Sequence, residues 1–88
     1  MILRDLLEVL STETSIMIFD VTSGRPEMKA RGNVHYAELE LKAKQNQLLY
    51  FDVVFVRYVR GSLQIEIKEG SFYVKHFTKT GAVNGNNR

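Results

Sequence analysis

From Leu39 onward the chain can be folded at three short turns so that its apolar and polar side chains separate onto two faces. Gln45-Asn46, Gly61-Ser62 and Glu69-Gly70 are the turn dipeptides. The first opposes Ala43 to Leu48, Leu41 to Tyr50 and Leu39 to Asp52. The second opposes Tyr58 to Ile65, Val56 to Ile67 and Arg57 to Glu66; the third opposes Ile67 to Phe72, Ile65 to Val74 and Glu66 to Tyr73. Opposed residues of an antiparallel pair share a face, and a slip of one residue would exchange the faces of a whole strand. Leu39, Leu41, Leu48, Tyr50, Val54, Val56, Tyr58, Leu63, Ile65, Ile67, Phe72 and Val74 then share one face, while Glu38, Glu40, Lys42, Arg57, Gln64, Glu66, Lys68 and Lys75 share the other. The agreement of three registers predicts an antiparallel meander.

Residues 34–44 are the weakest part of that reading. Ala, Leu, Glu and Lys favour helix, but Ala37, Leu39, Leu41 and Ala43 alternate with Glu38, Glu40, Lys42 and Lys44. Alternation is a strand signal, so the segment is expected to be a strand. Upstream, Leu3, Leu6, Leu7 and Leu10 follow the i, i+3, i+4, i+7 spacing of an amphipathic helix that ends at Ser11-Thr12. Ser15 to Asp20 carries Ile16, Met17, Ile18 and Phe19, apolar on both faces, and reads as a strand covered on two sides. Thr22-Ser23-Gly24-Arg25-Pro26 reads as a loop. The expected fold is α+β, an N-terminal helix packed on a mostly antiparallel meander of four to five strands. Residues 1–79 form the single domain expected of so short a chain. The Gly- and Asn-rich residues 80–88 are expected to be a flexible tail.

Two features break the partition. Leu49, Phe51, Val53, Phe55 and Val59 place an apolar streak on the polar face, with Tyr73 and Phe77 on the same side. Either the segment 21–33 or the first strand folds over this streak, or it is a surface for another molecule. An interface centred on Phe51, Phe55 and Tyr73, extended by Phe77 and flanked by Arg57 and Lys75, matches the aromatic and Arg enrichment of protein-binding surfaces. Conversely, Asp52 points toward the apolar face opposite Leu39, where a carboxylate needs partners.

Chemistry-bearing patterns are sparse. The chain has no Cys, which removes disulfides, thiolate nucleophiles and Cys-based metal sites. Its two His, His35 and His76, stand apart, and no G-x-S-x-G, H-E-x-x-H, EF-hand or phosphate-loop spacing occurs. The expectation is a non-enzymatic protein with no metal and no cofactor. The beginning of the chain carries Arg4, Asp5 and Glu8 and lacks the apolar run of a signal peptide or membrane span. Hence no membrane partner and a cytoplasmic location are expected.

The net charge is +2, and no acid follows Glu69. Arg57, Arg60, Lys68, Lys75 and Lys79, interleaved with aromatic residues, give an alternative reading as a nucleic-acid-binding face. Gly70-Ser71-Phe72-Tyr73-Val74-Lys75-His76-Phe77 resembles the RNP1 pattern, with Ser71 and Tyr73 departing from it.

Leu3 to Asp20, with its Leu-rich helix, its Ser11-Thr12-Glu13-Thr14 turn and its Ile16-x-Ile18-x-Asp20 strand, resembles the opening of small uncharacterised proteins of phages and mobile elements of Gram-positive bacteria. Asp52–Val56 through Leu63–Ile67 is similar to their closing hairpin, whereas residues 34–44 depart from it. The resemblance covers about half the chain and implies a phage-type accessory protein. That class includes inhibitors of host enzymes and nucleases, anti-CRISPR proteins among them, and no site residue carries over from it. The expected partner is a protein or a second copy in a homodimer; a virion or assembly component is a further alternative.

Overall fold

A computed structural model describes residues 1–71 of the chain. In chain order the elements are α1 (Leu3–Val9), β1 (Ser15–Asp20), β2 (Glu27–Asn33), α2 (Val34–Lys44), a 3-10 turn at Asn46–Tyr50, β3 (Asp52–Val59) and β4 (Ser62–Lys68). The strands form one sheet in the order β2-β1-β4-β3. β1 pairs antiparallel with β2 and parallel with β4, and β3 pairs antiparallel with β4. The architecture is α+β, with a mostly antiparallel sheet containing one parallel pair.

The helices lie on one face. Leu3 and Leu7 of α1, Val34, Ala37 and Leu41 of α2, and Leu48 and Leu49 of the 3-10 turn meet Ile16, Ile18, Ala30, Ile65 and Ile67 of the sheet in a single buried cluster. Burial of side chains this size is the main favourable contribution to folding. α1 packs on the 3-10 turn and the start of β3; α2 packs on β2, β1 and the same turn.

Residues 34–44 are a helix, not the expected strand, and the correction follows from local chemistry. Asn33 is the N-cap: its side-chain oxygen accepts from the Tyr36 amide at 2.8 Å. Such a cap satisfies one of the amides a helix start leaves open. Glu38–Lys42 and Glu40–Lys44 add ion pairs one turn apart, at 3.7 and 3.5 Å. Val34, Ala37 and Leu41 form the buried stripe, while Leu39 is 50% exposed on the outside. The alternation that suggested a strand therefore scatters around this helix. Without a strand there, the Gln45-Asn46 hairpin and the pairings of Ala43, Leu41 and Leu39 with Leu48, Tyr50 and Asp52 do not form. Asp52 instead pairs with Lys68 in β4 and bridges Ile2.

Two further differences concern β2 and the β3–β4 turn. Glu27–Asn33 is an edge strand, so this part of 21–33 extends the sheet and does not fold over it. The β3–β4 turn falls on Arg60-Gly61, both with positive φ (50° and 85°), which suits the right-handed twist of a tight hairpin. Val56 therefore opposes Ile65, Arg57 opposes Gln64 and Tyr58 opposes Leu63, two residues from the expected register. A shift of two leaves the side chains from Phe55 onward on their expected faces. Val53, expected on the polar face, instead pairs with the buried Ile67 and packs against the core, because the bulge between Val53 and Phe55 breaks the alternation there. The expected third hairpin and the tail 80–88 involve residues outside those described.

Candidate interaction surface

β3 is the outer strand on one side of the sheet, and its residues Val54 to Tyr58 are all exposed. Exposure is 50% at Val54, 45% at Phe55, 41% at Val56 and 71% at Tyr58. Val56 and Tyr58 share a face with Ile65 and Leu63, as expected, but the helical layer does not extend over them. A run of large apolar side chains in water on a sheet edge is unusual for a chain with no partner.

Phe55 and Arg57 lie on the other face of the sheet, which no described element covers. Cross-strand pairing sets two rows across it. One row is Met28, Phe19, Glu66 and Phe55; the next is Arg31, Met17, Gln64 and Arg57. The Arg57 guanidinium carbon is 5.9 Å from the centre of the Phe55 ring, within cation–π range. Met17 and Phe19 are half-buried, so β1 is fully covered on one side only, contrary to the expected double cover.

The expected site residues divide into three groups. Phe55 and Arg57 are brought together on the exposed strand. Phe51 is 6% exposed and Leu49 2%, both packed in the main core, so neither presents itself to a partner. The 3-10 turn before β3 changes the face that simple alternation assigned to them. Tyr73, Lys75, Phe77 and Lys79 lie outside the described residues. Sequence reasoning missed Met17, Phe19 and Met28 as members of the open face. It also assigned Val54, Val56 and Tyr58 to the covered side. The sheet order that exposes them leaves no local trace in the chain.

Searches against family models, curated proteins and solved structures found no match to this chain.

Among the described residues, Arg60 and Lys68 of the alternative reading do not share a patch. Arg60 is in the turn and Lys68 at the far end of β4, roughly 20 Å apart at about 3.3 Å per strand residue. Residues 1–71 hold nine Lys/Arg but all ten of the acids, so the described part is not basic. A shallow pocket of about 400 Å³ lies between α2 and β2, lined by Arg31, Tyr36, Leu39, Glu40 and Lys44. Its Glu40 is already paired with Lys44. Among the described residues no group of three or more acidic or His side chains is placed to hold a metal ion. No described helix is long and apolar enough to cross a membrane.

Proposed function

We propose that the protein acts by binding another protein chain, through β3 and the sheet face beside it. The observation that carries this reading is the exposed run Val54–Tyr58 on a sheet edge. Such an edge offers two kinds of recognition together. Its backbone amides and carbonyls can extend the sheet onto an added strand, and its alternate side chains select the partner. Phe55 and Tyr58 provide aromatic anchors on the two faces of the strand, and Arg57 adds a cation beside Phe55. A stoichiometric inhibitor of the phage accessory class would act through a surface of this kind and needs no reactive group.

A photo-crosslinking residue at Tyr58, introduced in cells that naturally carry the gene, tests the reading. A discrete adduct that Phe55→Ser abolishes is the expected result. Adducts that form equally from an exposed position of α2, such as Leu39, would overturn it.

A further inference from the structure

The two edges of the sheet differ in how they meet solvent. On β2 the charged residues Glu27, Lys29 and Arg31 occupy every second position, and the strand is bulged against β1 between Ile18 and Phe19. Charge and bulging are the usual ways of keeping an edge from pairing. β3 lacks such protection over most of its length. Its own bulge lies between Val53 and Phe55, and beyond it the single charge is Arg57.

The free part of the β3 edge is bounded. At its start the first residues of the chain lie against it: the Val53 amide donates to the Met1 carbonyl at 2.8 Å, the Leu3 amide donates to the Phe51 carbonyl at 2.9 Å, and Ile2 bridges Asp52. At its end the strand turns away at Arg60-Gly61. Between these limits the exposed run Val54–Tyr58 has Val56 as its midpoint.

We propose that this edge pairs with the same edge of a second copy, β3 antiparallel to β3 about a two-fold axis at Val56. The proposal rests on the protein-binding reading and names its partner. The result is one continuous sheet of eight strands, four from each copy. Opposed residues share a face, so the axis must fall on a residue and not between two. Centred on Val56, the ladder opposes Val56 to the partner's Val56, Val54 to the partner's Tyr58, and Phe55 to the partner's Arg57. Each Arg57 already lies over its own Phe55 ring and gains a second one across the interface. An axis on Arg57 would set two guanidinium groups against each other, and like charges directly opposed are destabilising. An axis on Phe55 would oppose the partner's Arg57 to Val53, whose amide is already bonded to Met1. Axes nearer either end shorten the ladder. Val56 is the one centre that uses the whole free edge and opposes no like charges.

The interface is small beside the roughly 1,600 Å² of a standard complex, so association depends on concentration. The test uses the full chain and light scattering after size exclusion. At high concentration the wild type should show twice the chain mass of 10.1 kDa. Val56→Lys alone and Val56→Asp alone should each return to monomer mass, because each sets like charges at a self-opposed position. An equal mixture of the two should restore the doubled mass. Val56→Cys should crosslink on oxidation far faster than Phe55→Cys. Directly opposed strand residues, about 4.5–5.5 Å apart between Cα atoms, are within disulfide reach, and the chain has no other Cys. Circular dichroism identical to wild type excludes unfolding as the cause of any loss.

A doubled mass that survives Val56→Lys, or a wild type that is monomeric at every concentration, overturns the proposal. In a monomer, amide exchange then separates this failure from that of the broader reading. Rapid exchange of the outward amides of Val54–Tyr58 leaves the edge open for a different protein. Slow exchange in a monomer means that the chain covers its own edge, and both readings fall.

Discussion

β1 and β3 are both apolar strands of one sheet, and by composition β3 is the stronger candidate for burial. It carries six apolar residues from Val53 to Val59, against four in β1. Yet Ile16 and Ile18 of β1 are fully buried, while Val54 to Tyr58 of β3 all face water. The difference lies in neighbours. β1 has β2 on one side and β4 on the other, with α2 against it. Among the described strands β3 has β4 alone, and the first residues of the chain and α1 lie against its start. Apolar content makes a strand able to be buried; sheet order and the reach of the covering helices decide whether it is. An uncovered strand of this composition is a reason to look for a partner.

One row of the sheet makes the comparison quantitative. Ile18, Ile65 and Val56 are aligned across three strands on the same face, at 0%, 0% and 41% exposure. Ile18→Ala or Ile65→Ala should each cost about 2–5 kcal/mol, through lost transfer energy and the cavity left behind. That is a large part of the stability of a small domain. Val56→Ala, measured by urea unfolding at low protein concentration, should cost within about 0.5 kcal/mol, as at other exposed sites. A Val56→Ala cost equal to that of Ile65→Ala at low concentration would break the comparison, because the β3 edge would then be covered within a single chain.

The same contrast recurs inside α2. Leu41 is 1% exposed and Leu39 is 50% exposed. Leu41→Ala should cost about 2–4 kcal/mol and Leu39→Ala within about 0.5 kcal/mol, since Ala is also the better helix former. Equal costs would restore the strand reading, in which both side chains share one buried face.

What the chain made legible follows the range of each interaction. α1 and β1 were readable because the Leu3–Leu7 spacing and the Ile16–Phe19 run are local signals. The faces of β4 and of β3 from Phe55 onward were readable because period two survives a register error of two residues, whereas the bulge that turns Val53 to the core left no such signal. The helix at 34–44 was obscured because its apolar residues alternate by coincidence. The deciding signals, the Asn33 cap and the Glu–Lys spacing of four, were weaker than that alternation. β2 escaped because an edge strand with one buried residue, Ala30, has little apolar pattern to show. The parallel β1–β4 pairing joins segments nearly fifty residues apart and has no local signature. Of the candidate surface, Phe55 and Arg57 were legible from alternation. Val54, Val56 and Tyr58 became visible only once the edge position of β3 was known.

The Asn33 cap can be isolated from packing. Asn33 is exposed, so removing its side chain leaves the core intact. Asn33→Ala should cost about 1 kcal/mol, and Asn33→Ser or Asn33→Asp should recover most of it. An equal loss with Ser and Asp would mean that Asn33 acts as the last residue of β2 and not through the helix it begins.

The smallest expected change in stability is at the most exposed of the described β3 aromatics. Tyr58 keeps 71% of its surface in contact with water after folding, so little transfer energy is at stake when it is truncated. Tyr58→Thr replaces an aromatic residue with a β-branched one, and both types suit an extended strand. Its unfolding midpoint at low concentration should lie within about 0.5 kcal/mol of wild type. Association should respond differently, because the pairing about Val56 opposes Tyr58 to the partner's Val54. The variant should therefore shift the monomer–dimer midpoint to higher concentration while leaving the monomer's stability in place. A loss of stability without a shift in association would assign Tyr58 to the fold. The reverse result assigns it to the surface, and the contrast between β1 and β3 then becomes a difference in role as well as in burial.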